Sequence, residues 1–193
     1  MCRRKGDRKE RKAIKIMNES ITLEQLDHRI REAAGAFDCC YLHWTAGHYG
    51  QHDAAYHLNI DKDGSLWQTL PFTQTPAATW HRNYRSIAVA LDGCADAALY
   101  AYGTVDFGTE PPTDAQIEAL AQVIATISNA SALPIRKSLF MTHAEAAELD
   151  DYGPSTSCER WDLWVLPGSE EWGSGGDYIR GKALFYQNEW KKG

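Results

Sequence analysis

CCYLHW, residues 39–44, is the stretch on which the fold turns, because it reads as a buried strand that delivers one polar side chain, His43, at its end. Upstream, Leu23, Leu26, Ile30 and Ala33 recur at helical spacing behind a T-x-x-Q capping box made by Thr22 and Gln25, which predicts an amphipathic helix ending near Gly35. Downstream, Ala55–Ile60 and Ser65–Leu70 flank Asp61-Lys62-Asp63-Gly64, whose terminal Asp-Gly marks the tight turn of a hairpin. SIAVAL at 86–91 is a further buried strand, closed by Asp92-Gly93. An irregular stretch ends at Pro111-Pro112. Thr113 and Gln116 then make a second capping box before Ile117, Leu120, Ile124 and Ile127. A short strand at 138–142 leads to His143. A Gly-, Pro- and Ser-rich segment at 153–176 reads as loop, and 176–190 as a last helix with Ile179, Ala183 and Tyr186 on one face.

Strands interspersed with helices predict an α/β fold: a single domain whose central mixed β-sheet is flanked by helices. The expected division is a basic, disordered tail over 1–17, the domain over 18–166, and an extension over 167–193 whose helix packs on the domain. No apolar run approaches the ~18 residues of a membrane span.

Charge is distributed unevenly. Residues 1–16 carry eight Lys/Arg against two Asp/Glu, a net of +6; with the whole chain at −6, the remainder carries −12. Such a run could contact nucleic acid or another polyanion. No aromatic residues interleave with it to stack on bases, so a solvated tail is the expectation and a nucleic-acid partner is not. The N-terminus lacks the apolar core of a secretory signal, which predicts synthesis in the cytoplasm. Five cysteines without CxxC spacing do not outline a disulfide scaffold.

His43 and His143 each end an apolar run, and Asp162 follows nineteen residues after the second. In an open α/β sheet, strand ends are where crevices form. Two imidazoles and a carboxylate suit Zn²⁺ in a hydrolytic site with one coordination position left open. Each residue alone has an ordinary alternative: a histidine after a strand is commonly a satisfied core or surface group, and a loop aspartate is commonplace.

The phrases around these residues add weight. HWTAG (43–47), YHLNIDKDGSLWQ (56–68), WHRNYRSIAVALDG (80–93), THAEAA (142–147) and RWD (160–162) together resemble, in order, the zinc-dependent N-acetylmuramoyl-L-alanine amidases, the family that includes phage lysozyme-type amidases and peptidoglycan recognition proteins. The resemblance spans about residues 40–163. It implies that fold, Zn²⁺ as cofactor, and His43, His143 and Asp162 as metal ligands, with Cys158 a rival for the third. It also implies Tyr56 and Arg160 as catalytic residues, and Trp80, His81 and Asn83 as substrate contacts. Three departures stand out. Ala90 occupies a place where some amidases carry a glutamate, which moves the catalytic burden towards Tyr56. Arg160 stands where lysine or threonine is common, and the usual DPG ending after the third ligand is missing.

The implied function is hydrolysis of the bond between N-acetylmuramic acid and L-alanine in bacterial peptidoglycan, by a monomeric endolysin-type enzyme of phage origin. Such a protein would act on the wall after release from the cytoplasm or dedicated export. The alternatives are a non-hydrolytic module that recognises muropeptides and a zinc hydrolase acting on another amide. Either Tyr56 or a water would protonate the leaving amine.

Overall fold

Two capping boxes start the helices that form the main core, in a computed structural model describing residues 17–100, 103–169 and 171–192. The tail expectation therefore lies outside the described residues, apart from Met17, whose amide donates to the Thr69 carbonyl at 2.8 Å. At α1 (Leu23–Glu32), the Thr22 hydroxyl accepts from the Gln25 amide and the Gln25 side chain accepts from the Thr22 amide, so two orphan donors are satisfied reciprocally. Thr113 and Gln116 do the same for α2 (Asp114–Ser131), which buries Ile117, Leu120, Ile124 and Ile127. The Gln116 amide also donates to the carbonyls of Ile60 and Asp92, which ties the helix start to two strand ends.

Among the described residues eight strands accompany these helices: β1 (Glu19–Ile21), β2 (Cys39–Trp44), β3 (Leu58–Ile60), β4 (Leu66–Gln68), β5 (Ser86–Leu91), β6 (Ala98–Tyr100), β7 (Thr104–Asp106) and β8 (Phe140–Thr142). Six of them form one mixed sheet in the order β1-β4-β3-β5-β2-β8. β3, β5, β2 and β8 run parallel, and β4 lies antiparallel to β1 and β3. The hairpin expected at Asp61–Gly64 is β3–β4, with strands shorter than the sequence pattern suggested. Gly64 turns at φ +84°, and a Cβ there would meet the Ala115 carbonyl oxygen at 3.0 Å, so glycine serves both the turn and the packing of α2.

Side-chain alternation gives the sheet two unlike faces. Cys40, Leu42, Ile87, Val89, Leu91, Leu58, Ile60 and Phe140 join Leu26, Ile30, Leu120 and Ile124 in the main core. Ile179 and Ala183 of α4 (Gly175–Trp190) enter the same cluster. On the opposite face, Tyr41 and Met141 pack with Ala146 of α3 (His143–Leu149), in a much smaller apolar cluster.

The structure corrects the sequence reading in two places. The stretch before Pro111 is not all irregular, since β6 and β7 form a separate antiparallel hairpin within it. The residues after β8 form a seven-residue helix with its own capping box, between Thr142 and Glu145. Strands of three residues and a helix of two turns are too short for periodicity to reveal. No helix among the described residues is long and apolar enough to cross a membrane.

Candidate metal centre

His43 and His143 are brought together by backbone register. In the parallel β2–β8 pair, Leu42 stands opposite Thr142, so the next residues along, His43 and His143, emerge side by side at the strand ends. His43 projects away from the main core because Leu42 and Trp44 on either side of it project into it. His143 opens α3, where the Thr142–Glu145 box fixes the helix start. Asp162 arrives from the loop that follows β8 and α3, just before Leu163, a non-glycine residue at φ +60°.

The three side chains form a nearly equilateral triangle. Nδ1 of His43 lies 3.1 Å from Nδ1 of His143, and Oδ2 of Asp162 lies 3.4 Å from the first nitrogen and 3.3 Å from the second. All three are buried. Among the described residues they are the only group of His, Cys, Asp or Glu side chains converging as metal ligands do; Cys158, the rival third ligand, is not part of it. Zinc bonds of about 2.0–2.2 Å in tetrahedral array set ligand atoms about 3.3 Å apart, which these edges match.

The hydrogen bonds fit the same reading. The other ring nitrogen, Nε2, of His43 lies 3.2 Å from the Thr79 hydroxyl, and that of His143 lies 3.4 Å from the Tyr152 hydroxyl. With each Nε2–H donated outward, both Nδ1 lone pairs face the triangle, as orientation of a metal-binding histidine requires. Asp162 Oδ1 is buried and has no hydrogen-bond partner among the described residues. Burial pushes the His43 imidazole down to about 4, despite the nearby Asp162 carboxylate, so it stays neutral. Burial acts to raise the Asp162 carboxyl, but the His143 and His43 imidazoles outweigh it and hold the carboxyl below its ordinary range. A neutral His43 imidazole beside an ionised Asp162 carboxylate is a pairing of protonation states that a divalent cation selects.

Tyr56 sits over this triangle, its ring centroid 5.2 Å from that of His43 and its hydroxyl donating to the Trp44 carbonyl at 3.4 Å. Burial first, and then the Asp162 charge, raise its phenol above the usual value, so it is a proton carrier rather than a phenolate. Arg160 is exposed on the rim, donates to the Glu159 carbonyl at 2.8 Å, and lines one recess with Tyr56, His143 and Asp162. Trp80 and His81 are exposed; Trp80 lines an adjoining recess with His143 and Arg160, its ring edge-on to Tyr152 at 5.6 Å, and His81 packs against the outer side of Trp80 with ring centroids 3.9 Å apart. Asn83 is engaged differently: its carbonyl oxygen accepts from the amides of Ala78 and Thr79, bracing the loop that presents Thr79 to His43. Ala90 pairs with His43 across β2–β5 and offers no carboxylate. Sequence reasoning passed over Thr79 and Tyr152, whose roles come from loop contacts that no spacing encodes.

Comparison with known proteins supplies the family. The N-acetylmuramoyl-L-alanine amidase family matches residues 26–161, about seven-tenths of the chain, ending one residue before Asp162. Among solved structures, the chain is similar to the Ph2119 endolysin from Thermus scotoductus MAT2119 bacteriophage Ph2119, at 19% identity and a TM-score of 0.47, covering 76% of this chain and 84% of that one. It is also similar to the endolysin N-acetylmuramoyl-L-alanine amidase LysCS from Clostridium intestinale URNW, at 17% identity and a TM-score of 0.42, covering 57% and 72%. No curated protein sequence matches the chain. With five of its phrases in the family's order and most of its length matched, the chain belongs to the N-acetylmuramoyl-L-alanine amidase family.

Proposed function

We propose that this protein hydrolyses the amide joining the lactyl group of N-acetylmuramic acid to L-alanine in peptidoglycan, with Zn²⁺ held by His43, His143 and Asp162. The observation that carries the reading is the buried triangle of two Nδ1 atoms and one carboxylate oxygen, with edges of 3.1–3.4 Å. A bound zinc ion supplies Lewis acidity, polarising a carbonyl and lowering the pKa of water to about 7.

The remaining work falls to the chain's own groups. Tyr56, kept protonated, donates a hydrogen bond to the oxyanion that develops as the amide is attacked, and is the nearest candidate to hand a proton to the leaving amine. Arg160, a fixed fork of donors on the rim, stabilises the same developing charge; loss of one such donor typically costs about 10²–10³ in rate. Trp80, exposed and lining the adjoining recess, and His81, exposed against it, are suited to contact the glycan or the stem peptide. Action on the wall as an endolysin-type enzyme, after release from the cytoplasm or dedicated export, is part of the same proposal.

The test is to digest purified sacculi with wild type and His143→Ala and weigh the soluble products. Wild type should release stem peptides with free N-terminal L-alanine and leave glycan strands intact, while the variant releases none above background. Equal release by both proteins would sink the mechanism. Wild type that binds muropeptides without releasing peptides would convert the reading to a recognition module.

A further inference from the structure

We propose that α4 is a clamp that sets the spacing of the His143 and Asp162 segments, with Arg180 as a positioning residue acting through Glu145; this rests on the metal reading above. Glu145 is the capping partner of the helix that His143 opens: its Oε2 accepts from the Thr142 amide at 2.9 Å, and its own amide donates to the Thr142 hydroxyl at 3.1 Å. Wherever its carboxylate sits, the first turn of α3 follows. That carboxylate is gripped by Arg180 of α4, whose two terminal nitrogens donate to Oε2 and Oε1, each at 2.7 Å. One of those nitrogens also donates to the Phe140 carbonyl of edge strand β8 at 2.9 Å. Arg180 and Glu145 are both at least nine-tenths buried.

The start of α4 bears on the third ligand as well. A Cβ on Gly175 would fall 2.2 Å from the carbonyl oxygen of Leu163, the residue after Asp162, and the Gly175 amide donates to the Trp164 carbonyl at 3.0 Å. A Cβ on Gly176 would fall 2.5 Å from Glu145 Oε1. Consecutive glycines thus let one helix terminus press on the carboxylate that caps α3 and on the backbone beside Asp162. A buried ion pair adds little stability over apolar residues of similar volume, whereas its directional donors fix register. All of these α4 residues lie beyond the family-matched stretch, which ends at residue 161.

The experiment measures zinc affinity by competition with a chromophoric chelator, the visible spectrum of the Co²⁺-loaded protein, and the thermal midpoint with and without zinc. It uses the full chain as wild type, Arg180→Lys, Gly176→Ala, and Gly181→Ala as a control on the same helix, where a Cβ meets nothing within 4 Å. Wild type and Gly181→Ala should bind zinc alike. Arg180→Lys, which trades a fork for a point charge, and Gly176→Ala, which displaces the Glu145 carboxylate, should bind it about tenfold or more weakly and shift the cobalt bands. Arg180→Lys is the milder change and carries the test if Gly176→Ala does not fold. Lower zinc-free midpoints with unaltered affinity and cobalt spectra would mean that α4 only stabilises the fold, and would overturn the clamp. Failure of wild type to bind zinc would overturn the metal reading and the clamp with it.

Discussion

The two faces of strand β2 obey opposite chemistry although their side chains alternate along one backbone. Leu42 and Trp44 enter a continuous apolar cluster with α1, α2 and α4, whereas Tyr41 and His43 face a small apolar patch and a polar recess. One face gains stability by excluding water from hydrocarbon. The other buries His43, His143, Asp162, His57 and Asn59, an expense that only specific partners offset. The difference divides the molecule: α1, α2 and α4 cover the first face, and loops bring Thr79, Tyr152 and Asp162 to His43 and His143 on the second.

The largest expected effect comes from Asp162→Ala. Release of stem peptides should fall by about 10³-fold or more, equivalent to about 4 kcal/mol of barrier, while the thermal melt stays cooperative. Retained activity would show that the polar face is not the reaction site. On the opposite face, Leu120→Ala should cost about 2–5 kcal/mol in urea unfolding, because Leu120 is fully buried, yet leave the specific activity of the folded fraction unchanged. A drop in specific activity at full folding would break the separation of the two faces.

The third prediction concerns pH. His57 is fully buried; its Nδ1 accepts from the Ala88 amide at 3.0 Å and its Nε2 donates to the Gln74 carbonyl at 2.9 Å, so only the neutral ring fits. Burial lowers its pKa from 6.5 to about 4. Because the folded value lies below the unfolded one, its contribution is complete above pH 6.5 and is lost as pH falls towards 4, about 3 kcal/mol in all. Because the buried Asp92 carboxyl, raised to about 7, acts in the opposite direction, the measurement is the difference in urea midpoint between wild type and His57→Gln, which should shrink from pH 7 to pH 4; a constant difference would refute the assignment. The smallest effect is expected of Thr79→Val, which keeps the shape beside His43 but removes the partner of its Nε2. Zinc affinity should weaken by about 10–100-fold, or about 1.4–2.8 kcal/mol, with little change in the melt of the zinc-free protein. Unchanged affinity would mean that Thr79 does not orient the ring.

The helical face was the more legible of the two in the sequence. Capping boxes at Thr22 and Thr113, helical spacing from Leu23 to Ala33 and from Ile117 to Ile127, and the Asp-Gly turn are local signals, and local signals survive without a structure. His43 and His143 were visible as polar residues closing apolar runs, but their pairing depends on a strand register set 100 residues apart in the chain. Asp162 was marked by its resemblance to a family pattern rather than by any periodicity. Thr79, Tyr152 and Arg180 stayed unread because each acquires its partner only when distant segments fold together. β1, β6, β7 and α3 are each shorter than the window over which a hydrophobic period can be recognised.

Anchoring His43 and His143 on adjacent hydrogen-bonded strands has a consequence for how such a protein changes over time. Neighbouring strands keep a separation of about 4.8 Å whatever their side chains, so the imidazole pair inherits its gap from main-chain bonding. The loop over 46–55, which carries none of the groups set around the two rings, can therefore vary in length and composition while the imidazole pair stands still. Slipping β8 by a single position would instead turn its inward and outward residues over together, leaving no gradual route between one arrangement and the other.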